Sequence, residues 1–540
     1  MKRSAVKSTV FRAAAFFTGA AALLAACGSS SSGTTASKAT QSSTKAAPAA
    51  KTLTLQFTAP VSLNPALEGT FQSDIDFGAL AYDSLIFQLP NGTYIPDLAT
   101  QWGYTAGSDN KTFNLTIRSG VTFSDGSPLT ADAVVASLNY FKKANGPQAS
   151  YLQSMTSATA TGADTVQLNF ASPEPDLPFL LSQYEDIGQI IGPSGIANPA
   201  SLATTSDGTG PFILSSSQSV TNSSYVYTQN PHYWNPSTVH FSKVVVKVIS
   251  DPQSALSSLE SGQVDVLTEV PPTMIKAATA AGLKVYNAPF SIASMILMDR
   301  TGTLSPLGKL AVRQAINYAI DRNSIASALG GPSAVPTDEV ALPGTTGYDP
   351  AIANLYSYNL TKAKQLMASA GESNGFSISV LDTAALDPNG QLGAALKTEL
   401  AAIGITVNLT VVPSPAQFIP AALSKKYAAV IWPISQTGYG FPYSVEFALA
   451  PFTNVFNTTS TTLQGLIATA GAASTTAEQN TLYQKVNDYL VNNAWYVPVY
   501  SLDAVFVIGK TVTNVQAPTV LNTTIDPVVP QAGLSWLPAS

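Results

Sequence analysis

The apolar residues of this chain come in short segments, and this spacing limits what the chain can fold into. Hydrophobic residues make up 45% of the sequence and charged residues only 11%, against roughly 25% charged in an average soluble domain. Beyond the N-terminus, no apolar run approaches the roughly 18 residues that a membrane-spanning helix needs. Gly, Pro, Ser, Thr and Asn separate the segments, which is typical of a soluble α/β protein. The 540 residues are enough for two or three domains.

The first 26 residues predict a targeting segment. A positive start is followed by an apolar stretch, residues 13–26, that is too short for a permanent membrane helix. The stretch ends in Leu24-Ala25-Ala26-Cys27, which resembles the lipobox of bacterial lipoproteins, where the cysteine is lipidated and becomes the new N-terminus. An ordinary secretory signal with an incidental cysteine is the alternative. Cys27 is the only cysteine of the chain and stands at the cleavage point, which favours lipidation. The positive start consists of Lys2, Arg3, Lys7 and Arg12.

The charge balance limits the partners of the processed chain. Loss of residues 1–26 removes four basic residues and no acidic one, which leaves 22 basic against 32 acidic residues and a net charge of −10. An acidic protein has no basic surface for nucleic acid and no attraction to an anionic membrane, so the lipid has to anchor it. Residues 27–51 are rich in Ser, Thr and Ala and predict a disordered tether. With no second cysteine there is no disulfide, and stability depends on core packing.

Helix and strand patterns alternate from Lys51 onward, with several strand–helix–strand units and no obvious single sheet. Thr130 is placed to cap one helix, Gly262 to end another, and Thr475 with Glu478 to form a capping box. The predicted strands are 52–59, 112–123, 243–249, 264–267, 405–412 and 496–499. The predicted helices are 131–141, 251–261, 311–329, 391–403 and the segment from the capping box to about 492.

Enzyme motifs are mostly absent. The sequence contains no HExxH, no paired CxxC, no GxSxG and no GxxxxGKS/T, and its two histidines, His232 and His240, both fit surface or packing positions. Metal-ligand clusters are also missing, so the sequence predicts no metal and no cofactor. A carboxylate pair for glycoside hydrolysis stays open, because nothing marks a particular pair.

A series of short motifs gives the chain a family resemblance. Residues 95–102 read IPDLATQW and residues 111–138 read KTFNLTIRSGVTFSDGSPLTADAVVASL; further matches follow in the same order to Pro498 and Tyr500. Together they resemble the family 5 extracellular solute-binding proteins of ABC importers, which include oligopeptide-, dipeptide- and nickel-binding proteins. Trp102 and Trp234 are expected to fill the core. The later matches are 208–212 (GTGPF), 230–234 (NPHYW), 259–265 (LESGQVD), 312–322 (VRQAINYAIDR), 363–366 with 370–371, and 403–405.

The resemblance implies an α/β fold of two lobes joined by crossing strands, with an extra subdomain in the N-terminal lobe. Solute would bind in the cleft and be enclosed by hinge closure. The boundaries expected here are a lipoprotein signal peptide at 1–26, the tether at 27–51, lobe 1 at 52–290 with the inserted subdomain at about 93–205, lobe 2 at 291–500, and a C-terminal return to lobe 1 at 501–540.

The resemblance also implies two segments that face the cleft, the first being residues 69–73 (GTFQS). The second segment, residues 430–443, reads roughly W-x-x-D in peptide-binding relatives, and that acid pairs with the α-amine of the peptide. Here Ser435 stands at the acid position, and a buried ammonium without a carboxylate would be costly, which lowers the expectation of free peptides. Asp76 or Glu446 is a possible substitute. The ligand-binding residues expected on these segments are Thr70, Phe71, Gln72, Trp432, Ser435, Gln436 and Tyr439.

Several solutes and three modes of action stay open. Aromatic side chains near neutral polar groups suit peptides held by their backbone, or oligosaccharides, and two histidines make nickel a poor candidate. Peptide-like solutes are the leading expectation, ahead of oligosaccharides and other small solutes. The chain would act without catalysis, as a monomeric binding lipoprotein of an ABC importer with a permease and ATPase subunits as partners. It would lie outside the cytoplasmic membrane, in the periplasm where a second membrane exists. A secreted hydrolase and a membrane-coupled sensor are the alternatives.

Overall fold

The computed structural model describes residues 51–68, 72–144, 146–268, 270–331, 333–384, 386–387, 390–435 and 453–539. For seven of these residues it describes the backbone alone: Gln72, Ser73, Asp74, Pro147, Pro415, Ala416 and Ser435. The predicted signal segment and tether, Cys27 included, lie outside the described residues, as do Thr70, Phe71, Gln436, Tyr439 and Glu446.

Among the described residues, strands of both directions build one large mixed sheet and three small ones. The strands are β1 Thr52–Phe57, β2 Ile86–Gln88, β3 Tyr94–Pro96, β4 Ala99–Tyr104, β5 Thr112–Ile117, β6 Met155–Ala160, β7 Thr165–Phe170, β8 Phe212–Leu214, β9 Ser224–Gln229, β10 Lys243–Val248, β11 Val266–Leu267, β12 Lys284–Leu297, β13 Phe376–Thr383, β14 Ile405–Val412, β15 Ala429–Ile431, β16 Ile434–Ser435, β17 Tyr496–Ile508, β18 Val512–Thr513 and β19 Leu537–Pro538.

The α-helices cover the large sheet and its four-stranded companion. They are α1 Gln72–Ala79, α2 Ala131–Lys143, α3 Leu177–Leu180, α4 Pro193–Ala197, α5 Pro252–Glu260, α6 Ile275–Ala280, α7 Leu310–Ala319, α8 Arg322–Leu329, α9 Leu360–Ser369, α10 Gln391–Ala401, α11 Pro415–Leu423, α12 Thr461–Gly471 and α13 Thr476–Asn492.

Two long antiparallel strands, β12 and β17, join the two halves of the large sheet. The sheet has eleven strands in the order β14-β13-β15-β12-β17-β11-β1-β10-β9-β8, and β16 also pairs with β12. The first half of the sheet consists of β1 and β8–β11, and the second half consists of β13–β16. β12 and β17 pair from Lys284↔Ile508 to Ile296↔Tyr496, so the chain crosses between the halves along these two strands.

The apolar cores divide in the same way as the sheet. One cluster draws on residues 53–266 and 506–536, and it includes the fully buried Phe57, Phe77 and Phe113. Two further clusters, on the two faces of the second half, draw on residues 292–502. The four-stranded sheet β4-β5-β7-β6 packs its buried side chains, such as Leu115 and Leu168, into the first cluster. The lobe boundaries expected from the sequence stay a prediction.

Local signals of the sequence are mostly confirmed. The Thr130 hydroxyl accepts from the Ala133 N–H at 3.2 Å at the start of α2, and the Thr475 hydroxyl accepts from the Glu478 N–H at 3.2 Å at the start of α13. Gly262 has the left-handed φ of 72° expected after a helix end. Caps of this kind depend on residues within one turn, so the sequence alone reveals them.

Three sequence-based expectations are wrong. The helix expected at 311–329 is two helices, because Ile320 is extended and the Asp321 carboxylate caps α8 by accepting from the Ser324 N–H at 3.1 Å. The strand expected at 112–123 ends at Ile117, before a turn with Gly120 at a φ of 78°. The strands also form one dominant sheet, contrary to the reading of no single sheet, since pairing between distant segments joins them.

Candidate functional site

The strand directions define where a site can form. β1, β10 and β11 are parallel to one another and antiparallel to β17, while β13, β14 and β15 are parallel to one another and antiparallel to β12. Because β12 and β17 run in opposite directions, the carboxyl ends of both sets point at the middle of this pair. Open α/β sheets bind ligands outside the carboxyl ends of their strands. The candidate site, called the central site below, comprises the described residues 58–68, 268, 289–293, 382–384, 386–387, 432–435 and 500–503.

The long strands are irregular exactly where they cross this site. Their register shifts between Pro289 and Ser291 and again between Ala293 and Ser294. Bulges bend a strand and increase its twist, and they are common beside functional sites. Close to the first bulge the Asn287 amide donates to Asp503 Oδ2 at 2.7 Å. The crossing strands therefore have a defined bend between the two halves of the sheet.

The segment that follows β15 carries the expected cleft residues Trp432 and Ser435. The Trp432 N–H donates to the Ser294 carbonyl at 3.1 Å, and the Ser294 hydroxyl donates to the Trp432 carbonyl at 2.6 Å. Ser435 pairs with Ser291 in the ladder between β16 and β12. The half-buried Trp432 ring lies 4.8 Å from the buried Phe418 ring, so part of its surface belongs to the core. This segment is held against β12 on the second-half side of the site.

The segment that follows β1 lies on the opposite side. Gln72, the third expected residue of this segment, begins α1. Glu68 is almost fully buried just before it, and Asp76 within α1 is 2% exposed. Asp76 Oδ1 accepts from the Ile525 N–H at 3.3 Å, which ties α1 to the C-terminal segment. Asp76 is thus buried in the first half, and its substitution for the acid that Ser435 lacks stays a prediction.

The carboxyl end of β13 carries a carboxyl pair that the sequence analysis missed. Asp387 accepts from the Leu392 and Gly393 N–H groups, both at 3.0 Å, at the start of α10. The Asp382 carboxyl lies against it, and burial together with Asp387 raises the pKa of Asp382 to about 8. Burial raises the pKa of Tyr500, on β17, to about 12, and the electrostatic effect of the nearby Asp387 adds to this increase. The signal in the sequence is an aspartate three residues before a Gly-Gln helix start.

The segments around the central site contain acids and no basic residue. The sequence has no Lys or Arg in 52–110, 248–275, 323–361, 365–396, 427–484 or 486–509. At the crossing, Asp503 is 7% exposed, and its Oδ1 has no hydrogen-bond partner within the described residues. The segments that make up the central site therefore offer a solute carboxyl groups and neutral polar groups, and none of them contributes a Lys or Arg side chain.

Two small cavities of the first half are too small for a solute. They measure about 20 and about 30 Å³, which is room for one or two water molecules. One is lined by the buried carboxyls of Asp83 and Asp97 together with Asp526. In the described part of the chain, no cluster of three or more His, Cys, Asp or Glu side chains could hold a metal ion. Both histidines are exposed.

The middle of the chain matches the model of a known protein family. Residues 93–454 match the model of the family described as bacterial extracellular solute-binding proteins, family 5 Middle. The chain belongs to this family. The membership confirms the resemblance that the motifs of the sequence indicate.

Known proteins of related sequence and structure agree with the membership. The chain is 29% identical over 279 residues to the probable D,D-dipeptide-binding periplasmic protein DdpA of Escherichia coli K12, over 50% of this chain and 51% of that protein, so it matches about half the length of this curated relative. Two solved structures are similar along most of the chain. One is the binding protein AgaA of A. tumefaciens R10 in complex with agropinic acid. It has a TM-score of 0.74 and 23% identity, and the match covers 87% of this chain and 95% of AgaA. The other is the periplasmic binding protein DppA of Helicobacter pylori in complex with the peptide STSA. It has a TM-score of 0.73 and 22% identity, and the match covers 87% of this chain and 96% of DppA.

These neighbours confirm the two-lobed α/β fold expected for family 5. Several family 5 motif residues build the core of the first half and not the central site. The Trp234 Nε1–H donates to Asp83 Oδ2 at 2.9 Å, the Arg118 guanidinium lies 4.1 Å from the Trp234 ring centre, and the Arg118 Nε–H donates to the Asp97 carbonyl at 2.9 Å. Trp102 also packs against the first core cluster, as expected. These residues identify the fold without selecting the solute.

Proposed function

We propose that this chain is the extracytoplasmic solute-binding component of an ABC importer. It captures a peptide or a similar small solute at the central site and delivers it to the permease and its ATPase subunits without chemical change. Dipeptide-binding relatives and a peptide-bound structural neighbour support this solute class. The observation that carries the proposal is the convergence of two sets of strand ends, one from each half of the sheet, on a bent pair of crossing strands.

This geometry explains why a solute would close the molecule. A solute that touches both sets of strand ends contacts both lobes, and only the closed state makes both sets of contacts. The two crossing strands are the hinge, with lobe 1 at 52–290 and 501–540 and lobe 2 at 291–500. Thr70, Phe71 and Gln72 would contact the solute from lobe 1, and Trp432, Ser435, Gln436 and Tyr439 from lobe 2.

The charge of the site selects among solutes. Because the segments of the site carry no Lys or Arg, an anionic group of the solute would be buried against them without a cationic partner, which is costly. A neutral or cationic solute avoids this cost. A peptide would therefore bind at least as well with an amidated C-terminus as with a free carboxylate.

An oligosaccharide is the second candidate. It is favoured by the half-exposed Trp432 ring beside a ladder that carries Ser291 and Ser435, since sugars pack on aromatic faces and hydrogen bond to neutral groups. A neutral sugar also fits the lack of basic residues. Peptide and sugar differ in mass, so one experiment separates them.

The N-terminus supplies the location. Residues 1–26 act as a lipoprotein signal peptide, the lipid on Cys27 anchors the monomeric protein outside the cytoplasmic membrane, and residues 27–51 form the tether. In a cell with two membranes this places the protein in the periplasm. Among the described residues, no helix is long and apolar enough to cross a membrane.

Native mass spectrometry of the chain with Cys27→Ser tests the function. The protein is purified without refolding, then denatured, and the released small molecule is identified; a panel of neutral, cationic and anionic peptides and oligosaccharides is tested on any empty protein. We expect one saturable, reversible ligand that leaves the protein unaltered. Release of a cleaved product would support the hydrolase, and binding without import in a transport assay would support the sensor. No bound mass together with no stabilisation by the panel would contradict the proposal.

A further inference from the structure

A polar contact between described residues joins the two halves of the molecule away from the crossing strands. The side-chain amide of Asn110, in the turn between β4 and β5, donates to the Gly471 carbonyl at 3.0 Å and to the Ala473 carbonyl at 2.8 Å. Both acceptors lie at the C-terminal end of α12. The carbonyls at a helix end have no partner within the helix, so this amide satisfies groups that otherwise need water.

The turn is built to hold Asn110 in place. Asp109 and Asn110 have left-handed φ angles of 52° and 58°, a conformation that asparagine tolerates better than most residues. The Asn110 carbonyl accepts from the Glu174 N–H at 3.1 Å, and the Lys111 N–H donates to the Ser108 carbonyl at 3.0 Å. The side chain therefore extends from a fixed backbone, and little freedom is lost when it bonds to α12.

The two ends of the contact belong to different cores. The sheet that contains β4 and β5 packs into the first core cluster, whereas Leu463 and Ala470 of α12 belong to a cluster of the second half. Neither end lies on β12 or β17, the strands along which the chain crosses between the halves. A rotation about those strands moves β4 and β5 relative to α12, so opening breaks the contact.

We propose that Asn110 is a closure latch, a residue that raises solute affinity by stabilising the closed state without touching the solute. The inference rests on the proposed function, because a latch matters to affinity only if closure traps a solute. In the closed state the amide bonds to the end of α12; in the open state that end of α12 and the amide return to water. The latch lowers the free energy required for closure, so a ligand that binds the closed state binds more tightly when the latch is present.

A glycine substitution separates the latch from the fold of the turn. Asn110→Gly removes the amide and suits the left-handed backbone, so the folded protein loses none of its turn geometry. Asn222→Gly is the matched control: Asn222 is exposed, has a φ of 57° and lies in a turn of the first half. From two neutral hydrogen bonds we expect Asn110→Gly to raise the Kd of the captured solute at least about 5-fold. The Kd of Asn222→Gly should equal the wild-type value, and the unfolding midpoints of the two variants should agree with each other, because both replace an asparagine of left-handed φ by glycine.

A distance measurement tests the latch without a solute. With Cys27→Ser in place, spin labels on Thr161→Cys and Thr481→Cys, both exposed, report the separation of the halves. We expect Asn110→Gly to shift the label distances to longer values and Asn222→Gly to leave them unchanged. Wild-type binding with an unchanged Kd and unchanged distances in Asn110→Gly would overturn the latch and leave the proposed function intact. If the wild-type protein binds no solute but Asn110→Gly lengthens the label distances, the proposed function is contradicted, while the role of Asn110 in holding the two halves together is supported.

Discussion

The carboxyl pair at the end of β13 makes the stability of the second lobe depend on pH in a way that one substitution can reveal. An aspartate carboxyl in an unfolded chain ionises near pH 4, whereas burial and Asp387 raise the pKa of folded Asp382 to about 8. Between these values the folded protein holds a proton that the unfolded chain has lost. Stability therefore falls as the pH rises through this window, by up to about 1.4 kcal/mol per pH unit for one group.

The variant Asp382→Asn removes this dependence. The Thr383 N–H donates to Asp382 Oδ1 at 2.7 Å, and an asparagine oxygen can accept that bond while its amide donates to the Asp387 carboxylate in place of the carboxyl proton. The variant is thus a permanent mimic of the protonated acid. Over the two units from pH 5 to pH 7, we expect the free energy of unfolding of the variant to gain about 2.5 kcal/mol relative to the wild type.

Urea unfolding at pH 5, 6 and 7 measures this difference. The control is Asp164→Asn, which neutralises an exposed carboxyl in a turn of the first half. The control and the wild type should follow parallel pH profiles. If the Asp382→Asn profile is parallel to them as well, Asp382 is ionised in the folded protein, and the proton proposed to lie between Asp382 and Asp387 is refuted.

Three further predictions follow from single contacts. Arg322→Met should lower the free energy of unfolding, measured with urea, by about 3 kcal/mol or more, because the buried guanidinium donates to carbonyls of several segments, including that of Pro498 on β17 at 2.8 Å. Arg322→Lys should not restore the lost stability. A loss below about 1 kcal/mol would contradict this. Trp432→Leu should raise the Kd of the solute at least about 5-fold by isothermal titration, whereas Trp102→Leu, in the core of lobe 1, should lower stability and leave the Kd unchanged; equal effects on Kd would remove Trp432 from the site. Cys27→Ser should move the protein from the membrane fraction to the soluble extracytoplasmic fraction on cell fractionation, and continued membrane association would exclude the lipid anchor.

Local signals in the sequence predicted much of the secondary structure because they act over one turn. Thr130 and Thr475 cap the helices that they precede, and Gly262, with a left-handed φ of 72°, follows the end of α5. The break between α7 and α8 was missed because the apolar periodicity continues through Ile320. There a long-range interaction decides: Arg322 reaches the β17 carbonyl of Pro498, far along the chain.

The sheet and the carboxyl pair lay beyond sequence reasoning for a related reason. β12 carries Asn287 and Pro289, which are poor strand residues, and it is a strand because it pairs with β17 over most of its length. Asp382 and Asp387 look like two of many acids until β13 and the start of α10 bring them together. The family motifs predicted the fold, since Arg118 and Trp234 belong to its core, but they did not reach the residues that decide the charge of the central site.

Small-angle X-ray scattering during a titration with the captured solute measures whether the two lobes close around it. We expect the radius of gyration to fall as the site fills, to level off at one solute per chain and to return to its starting value when the solute is removed by dialysis. Saturable binding with no change in the radius of gyration, or a solute recovered in cleaved form, would contradict capture by closure.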